Sequence, residues 1–233
     1  MRSYEEMPPK NINEDHTLLG YLIDVSGSMY SRLSEVSGEI NKVTSMLQQN
    51  SMANKMVESA VLTFSDDTKI IQGWRPISEV EDISLSSEGG TELQKAILET
   101  TDYIRERTHL LKRSGITVRR PQLFVVTDGY GGDVTEAARV IKERTRLGKL
   151  ACWFLCVKGY DKKTIATLSD GERDFELKDE NDTDYSEFFE KVVAASVISV
   201  SESQPGEKPK WNNPLKDPDS TLQKPDLDGW LLD

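Results

Sequence analysis

The chain has 233 residues, a net charge of −11 and an isoelectric point near 4.8. That length suits one α/β domain with flanking segments and permits a proper core. The acidic balance argues against a general polyanion binder, because phosphate backbones would be repelled, and no nucleic-acid partner is expected.

Residues 1–16 are polar and aperiodic, which reads as an arm, and they hold no apolar stretch of the kind a secretory leader needs. "TLLGYLIDV" from Thr17 is a continuous apolar run, the pattern of a strand covered on both faces. Leu33, Val36, Ile40, Val43 and Leu47 follow at steps of three and four, so an amphipathic helix is expected there. "ESAVLTF" and "TKIIQGW" flank Ser65–Asp67 as a hairpin. Leu93, Ile97, Thr101, Ile104 and Leu111 trace a second helix, with Thr91 at its start, and "PQLFVVTD" a second buried strand. Val134, Ala138 and Ile141 mark a third helix, "KLACWFLCV" another strand, "DKKTIATLSD" a short helix and "ERDFEL" a weaker strand. Tyr185, Phe188, Phe189, Val192, Val193 and Val197 form the last helical stripe.

Strands alternating with helices, several of them apolar throughout, predict a mainly parallel central sheet with one antiparallel edge strand and helices on both faces. Cys152 and Cys156 lie four apart on one strand, so their side chains sit about 13 Å apart and cannot form a disulfide. No run is long enough to span a membrane. These features lead to the expectation of a reduced, soluble, cytoplasmic protein.

Two segments run against the acidic balance, "RERTHLLKRSGITVRR" from Arg105 and "KERTRLGK" from Lys142. They read as solvated helix ends with their loops, or as a surface for an acidic protein partner. From Ser201 onward the chain holds five of its nine prolines and no helical or strand period, a composition poorly suited to burying apolar area. Trp211, Trp230, Leu231 and Leu232 stand out in it. They fit either a tail packed loosely on its own domain or a docking segment for another protein, with Trp211 and Trp230 as contacts.

Three expected loops carry oxygen donors at strand ends or helix starts, where open α/β sheets bind ligands. They are Asp24-Val25-Ser26-Gly27-Ser28, "SEGGTEL" with Thr91, and "VVTDGYGGD" with Asp128. Each alone is as well explained by an Asx turn or a helix cap. Together they offer two carboxylates and three hydroxyls, hard donors suited to Mg²⁺, Mn²⁺ or Ca²⁺ rather than zinc. If the neutral hydroxyls touch the metal while the aspartates act partly through water, the ion keeps much of its charge and still attracts an anion. An outside carboxylate would then fill a sixth octahedral position, at roughly 2.0–2.1 Å for Mg²⁺. Tyr130, beside this loop, is a candidate partner contact or a plain surface residue.

"DVSGSM", the threonine after "GG", and "TDG" resemble the metal-ion-dependent adhesion site (MIDAS) of von Willebrand factor A (VWA) domains, over roughly residues 17–199. The resemblance implies a Rossmann-like fold and a Mg²⁺ that grips an acidic residue of a partner protein. It makes Ser26, Ser28 and Thr91 direct ligands, and Asp24 and Asp128 ligands either directly or through water. The early "DVSGSM" is similar to bacterial cytoplasmic VWA proteins of the tellurite-resistance TerY type. That likeness implies an adaptor in a stress-response or defence system, with a kinase or phosphatase among its partners.

Two other functions compete. One is a passive scaffold that binds through residues 200–233. The other is a metal-dependent hydrolase such as a phosphatase, against which stand the lack of a second carboxylate cluster, of a histidine base in these loops and of a phosphate-binding glycine loop. Asp226, Asp228 or Asp233 could also supply the carboxylate, making the tail an inhibitor or an assembly link. The expectation is a binding module, not an enzyme.

Overall fold

All eight residues of Thr17–Asp24 (β1) are buried, as an apolar run covered on both faces requires. Alternation splits them between two cores. Leu19, Tyr21 and Ile23 face one layer, and Leu18 and Leu22 the other. The computed structural model describes residues 7–179, 183–204 and 209–227.

β1 pairs in parallel with Val57–Phe64 (β2) on one side and with Gln122–Thr127 (β4) on the other. Ala151–Cys156 (β5) and Asp174–Leu177 (β6) continue the parallel sheet, and Thr68–Pro76 (β3) runs antiparallel to β2 at the expected edge. The order is β3-β2-β1-β4-β5-β6-β7, where β7 is the two-residue strand Leu222–Gln223, antiparallel to β6.

Leu33–Gln49 (α1) and Ala53–Met56 (α2) cover one face together with the carboxyl-terminal helix. Leu93–Arg113 (α3), Thr135–Arg146 (α4) and Lys162–Leu168 (α5) cover the other. The helix after β1 and the helix after β4 therefore lie on opposite faces. A crevice opens where the chain divides in this way, at the carboxyl ends of β1 and β4.

The last apolar stripe is helical with a change of winding. Phe188–Ala194 is a π-helix that passes into Ala195–Glu202 (α6). Phe188 meets Phe124, Phe175 and Phe189 edge-on, with ring centres 5.5–6.4 Å apart. Cys152 and Cys156 are free thiols in the core beneath α4 and α5.

One segment differs from the expectation of a polar arm, and another takes the first of its two expected forms, a tail packed on its own domain. His16 is buried; its Nδ1 lies 3.1 Å from Glu58 Oε1, and its backbone pairs with Thr117 and Arg119. Arg107, also buried, donates through Nε and Nη2 to Glu58 and through Nη1 to Met7 O, so the start of the chain is held across the amino ends of the strands. Residues 209–227 likewise lie on the domain. Trp211 donates through Nε1 to Lys191 O at 2.8 Å and packs edge-on against Trp153 and Phe175, while Leu222 and Leu227 are buried. Proline removes ladder donors but leaves room for β7, two residues long, between Ser220 and Pro225.

Candidate metal centre

Register places the site. Asp24 pairs with Phe64 at the end of β2, Ile23 with Val126, and Thr127 with Cys156. Strands separated by a hundred residues thus end level, and the loops after β1 and β4 meet over the crevice.

Asp24 is fully buried at the end of β1. Its Oδ1 accepts from Ser26 N at 2.9 Å, an Asx turn that bends the chain away from the strand. The Gly27–Arg32 3₁₀ turn follows and brings Ser28 back over Ser26, with their hydroxyls 3.1 Å apart. Asp128, also buried, receives a short hydrogen bond from the Ser28 hydroxyl through Oδ2 and one from Tyr130 N at 3.2 Å through Oδ1. Asp24, Ser26, Ser28 and Asp128 are therefore one hydrogen-bonded group, with the carboxylates on its floor and Ser28 exposed at its mouth.

Thr91 is placed from a third direction. The helix starts two residues later than expected, at Leu93. Glu88 N donates to Val25 O at 2.7 Å, which ties the Gly89–Gly90 turn to the first loop. A side chain on Gly131 would strike Leu93 Cβ at 2.7 Å, so only glycine lets the Asp128 loop approach this closely. Thr91 lies between these two attachments, half-buried, and its hydroxyl has no hydrogen-bond partner among the described residues.

Three contributors escaped the sequence reading. Thr127 Oγ1 donates to Asp24 Oδ2 at 2.8 Å and accepts from Gly129 N at 2.9 Å, orienting the carboxylate. Asp66 Oδ1 accepts from Gly90 N at 3.0 Å and Ser65 O from Glu92 N at 2.7 Å, so the β2–β3 hairpin holds the Thr91 segment. Tyr30, 75 % exposed, stands two residues beyond Ser28, as Tyr130, 54 % exposed, stands two beyond Asp128. The "TD" and "SDD" strings were the available signals, but hydroxyls and acids are common at any turn. Of the expected partner contacts, Tyr130 faces solvent, Trp211 packs on its own domain, and Trp230 lies outside the described residues.

The electrostatics favour a cation. Burial pushes the Asp24 carboxyl up, and nearby Asp128 adds to this, against the hydrogen bonds from Ser26 and Thr127. Neither carboxylate has a lysine, arginine or histidine partner among the described residues. Buried acids are ordinarily paired or bound to metal. Among the described residues no three His, Cys, Asp or Glu side chains cluster as ligands. A site here would rest on two carboxylates plus hydroxyls, a set that fits a hard divalent ion.

A search of curated proteins found no match. Solved structures share the fold at low identity. The pilus adhesin SpaC of Lactobacillus rhamnosus GG, in its open conformation, aligns with a TM-score of 0.62 and 14 % identity, covering 80 % of this chain and 30 % of that one. A von Willebrand factor type A protein from Catenulispora acidiphila gives 0.54 and 15 %, covering 79 % and 43 %. Proximal thread matrix protein 1 from the mussel byssus, with a zinc-occupied MIDAS motif, gives 0.55 and 15 %, covering 79 % and 46 %. The chain spans less than half the length of each of these three. Among the described residues no helix is long and apolar enough to cross a membrane. The von Willebrand factor type A domain model matches residues 19–190, most of the chain, and this protein belongs to that family.

Proposed function

We propose that the chain is a metal-dependent protein-binding module, without catalytic activity, that captures a carboxylate of a partner protein through a divalent cation. The observation that carries this reading is the pair of buried carboxylates, Asp24 and Asp128, which have no lysine, arginine or histidine partner among the described residues and are roofed by the Ser26 and Ser28 hydroxyls at a strand switch point. Asp24, Ser26, Ser28, Thr91 and Asp128 would hold the ion. When bound, it would supply a Lewis-acidic position for an incoming acidic side chain. The protein's part is to orient the donors. Thr127 fixes Asp24, Asp66 fixes the Thr91 turn, and the exposed Tyr30 and Tyr130 offer contact area around the mouth.

Mg²⁺ is the proposed metal, because hydroxyl and carboxylate oxygens are hard donors. The zinc-occupied motif of the mussel protein makes Zn²⁺ its natural competitor. An adaptor role in a bacterial stress-response or defence system, with a kinase or phosphatase as partner, is the finer reading suggested by the "DVSGSM" resemblance. A cytoplasmic setting goes with it. Scaffolding through Trp211 is disfavoured, since that indole is engaged within its own domain.

The test is capture of partner proteins from native extract. We expect Mg²⁺-dependent capture by the full chain, and its loss in Asp24→Ala with Asp128→Ala while the fold persists. Capture that is indifferent to both EDTA and these substitutions overturns the proposal, and turnover of a phospho-substrate that depends on Asp24 would make the protein an enzyme.

A further inference from the structure

The two basic segments of the sequence come together at the pole opposite the candidate metal centre. A cleft of ≈ 590 Å³ opens between the carboxyl ends of α3 and α4 and the segments that lead into β4 and β5. Arg105, His109, Lys112 and Arg113 line it from the α3 side, and Arg144 and Lys149 from the α4 side. Among the described residues no aspartate or glutamate lines it, although acidic residues outnumber Lys and Arg by 40 to 29 in the chain.

Helix dipoles account for part of this, since cations favour the last turn of a helix. They do not account for two helix ends and two loops delivering like charges into one cavity. Nor do internal partners, apart from the exposed pair of Arg105 with Asp102 at 3.1 Å. Arg120 is engaged by Leu150 O and Thr145 O, and Arg119 by Asp15 and the carbonyls of Val200 and Ser203. His109, Lys112, Arg113, Arg144 and Lys149 form no ion pair among the described residues. Arg144 is the most telling of them. It is half-buried, its Nε is fully enclosed without a hydrogen-bond partner among the described residues, and burial and the nearby Arg105 disfavour its charge against the opposing pull of Asp102. An enclosed donor left unpaired is costly, and an anion held by the rest of the guanidinium would offset that cost.

We infer that this cleft is a second docking site, which takes a segment of a partner protein bearing closely spaced carboxylates. Guanidinium and ammonium groups at several depths suit side-chain carboxylates arrayed along a peptide. Among the described residues no Phe, Tyr or Trp lines the cleft for base stacking, and the chain's overall negative charge opposes long polyanions, which sets nucleic acid aside. β4 is six residues long, so the cleft lies roughly 20 Å from the metal centre along the strand, and the two sites can be occupied together.

The experiment is fluorescence anisotropy of a labelled peptide with a central run of glutamates, titrated with the full chain. Measured in EDTA, where the metal centre cannot take the peptide's carboxylates, binding is expected to persist and to weaken with salt. Lys112→Glu with Lys149→Glu, both exposed, should weaken it about tenfold or more, and the milder Lys112→Gln with Lys149→Gln less. The equally charged control Lys55→Glu with Lys216→Glu should leave it nearly unchanged. Absence of binding in EDTA, equal loss in the control, or tighter binding of pyrophosphate or an oligonucleotide each overturns the inference.

Discussion

Thr127 Oγ1 donates a hydrogen bond to Asp24 Oδ2 across 2.8 Å, joining the ends of two neighbouring parallel strands. The bond is buried, and the same hydroxyl accepts from Gly129 N, so it ties the orientation of Asp24 to the turn that carries Asp128.

Thr127→Val keeps the shape and removes the hydroxyl. Stability should fall by about 1 kcal/mol, the net worth of an ordinary hydrogen bond. Divalent-metal affinity should fall about 10- to 100-fold, as is usual when a group that orients a ligand is lost, and Thr127→Ser should restore it. Urea unfolding reads the first and isothermal titration with Mg²⁺ or Mn²⁺ the second; affinity unchanged in the valine variant would mean that Asp24 needs no such support.

Arg107 and Glu58 form a buried two-point pair, at 2.7 and 3.0 Å, away from the site. Arg107→Ala leaves Glu58 enclosed without its main cation and should cost about 3–5 kcal/mol in urea unfolding at neutral pH. Burial alone would raise the Glu58 carboxyl, but the bonds from His16 and Arg107 outweigh it and hold it below the usual range. A depressed folded value means that its stabilisation is complete above the unfolded value, about 4.3, and disappears as pH falls through the folded one. The gap between wild type and Arg107→Ala should therefore narrow below about pH 4; a constant gap would contradict the assignment.

Glu187 pins the carboxyl-terminal segment. It accepts from Thr221 N and Oγ1 at 2.5 and 2.6 Å and from Lys191 at 2.8 Å. Burial opposes the charge, yet the bonds from Lys191, Thr221 and Ser220 prevail and lower its carboxyl to about 2. The tail should stay docked above pH about 4.3 and loosen as pH falls toward about 2. Hydrogen exchange at residues 211–223 should show this in wild type, whereas Glu187→Gln should exchange faster already at neutral pH. Equal protection in both would show that Trp211 and β7 alone hold the segment.

The sheet was legible because its strands are covered on both faces, so "TLLGYLID" and "QLFVVT" are apolar without alternation. Asp24, Ser26, Ser28 and Asp128 were legible because fixed spacing at strand ends survives in the string. What hid was whatever depends on distant partners. His16 reads as part of a polar arm until Glu58 and Arg107 enclose it, and Asp66 as a turn residue until Gly90 N reaches it. β7 is too short and too close to proline to show a period. The π-helix was masked differently. The adjacent pairs Phe188–Phe189 and Val192–Val193 fit a wide apolar stripe of an α-helix as readily as a π-turn.

Asp24, Ser26, Ser28, Thr91 and Asp128 must together hold a single divalent ion if the domain captures partners through metal. Anomalous diffraction from a crystal soaked in Mn²⁺ tests it most directly. One strong peak is expected at the mouth of the β1–β4 crevice, within coordination distance of the Ser26, Ser28 and Thr91 hydroxyls and beside both carboxylates. A strong peak elsewhere, or none at that position at saturating Mn²⁺, would contradict it.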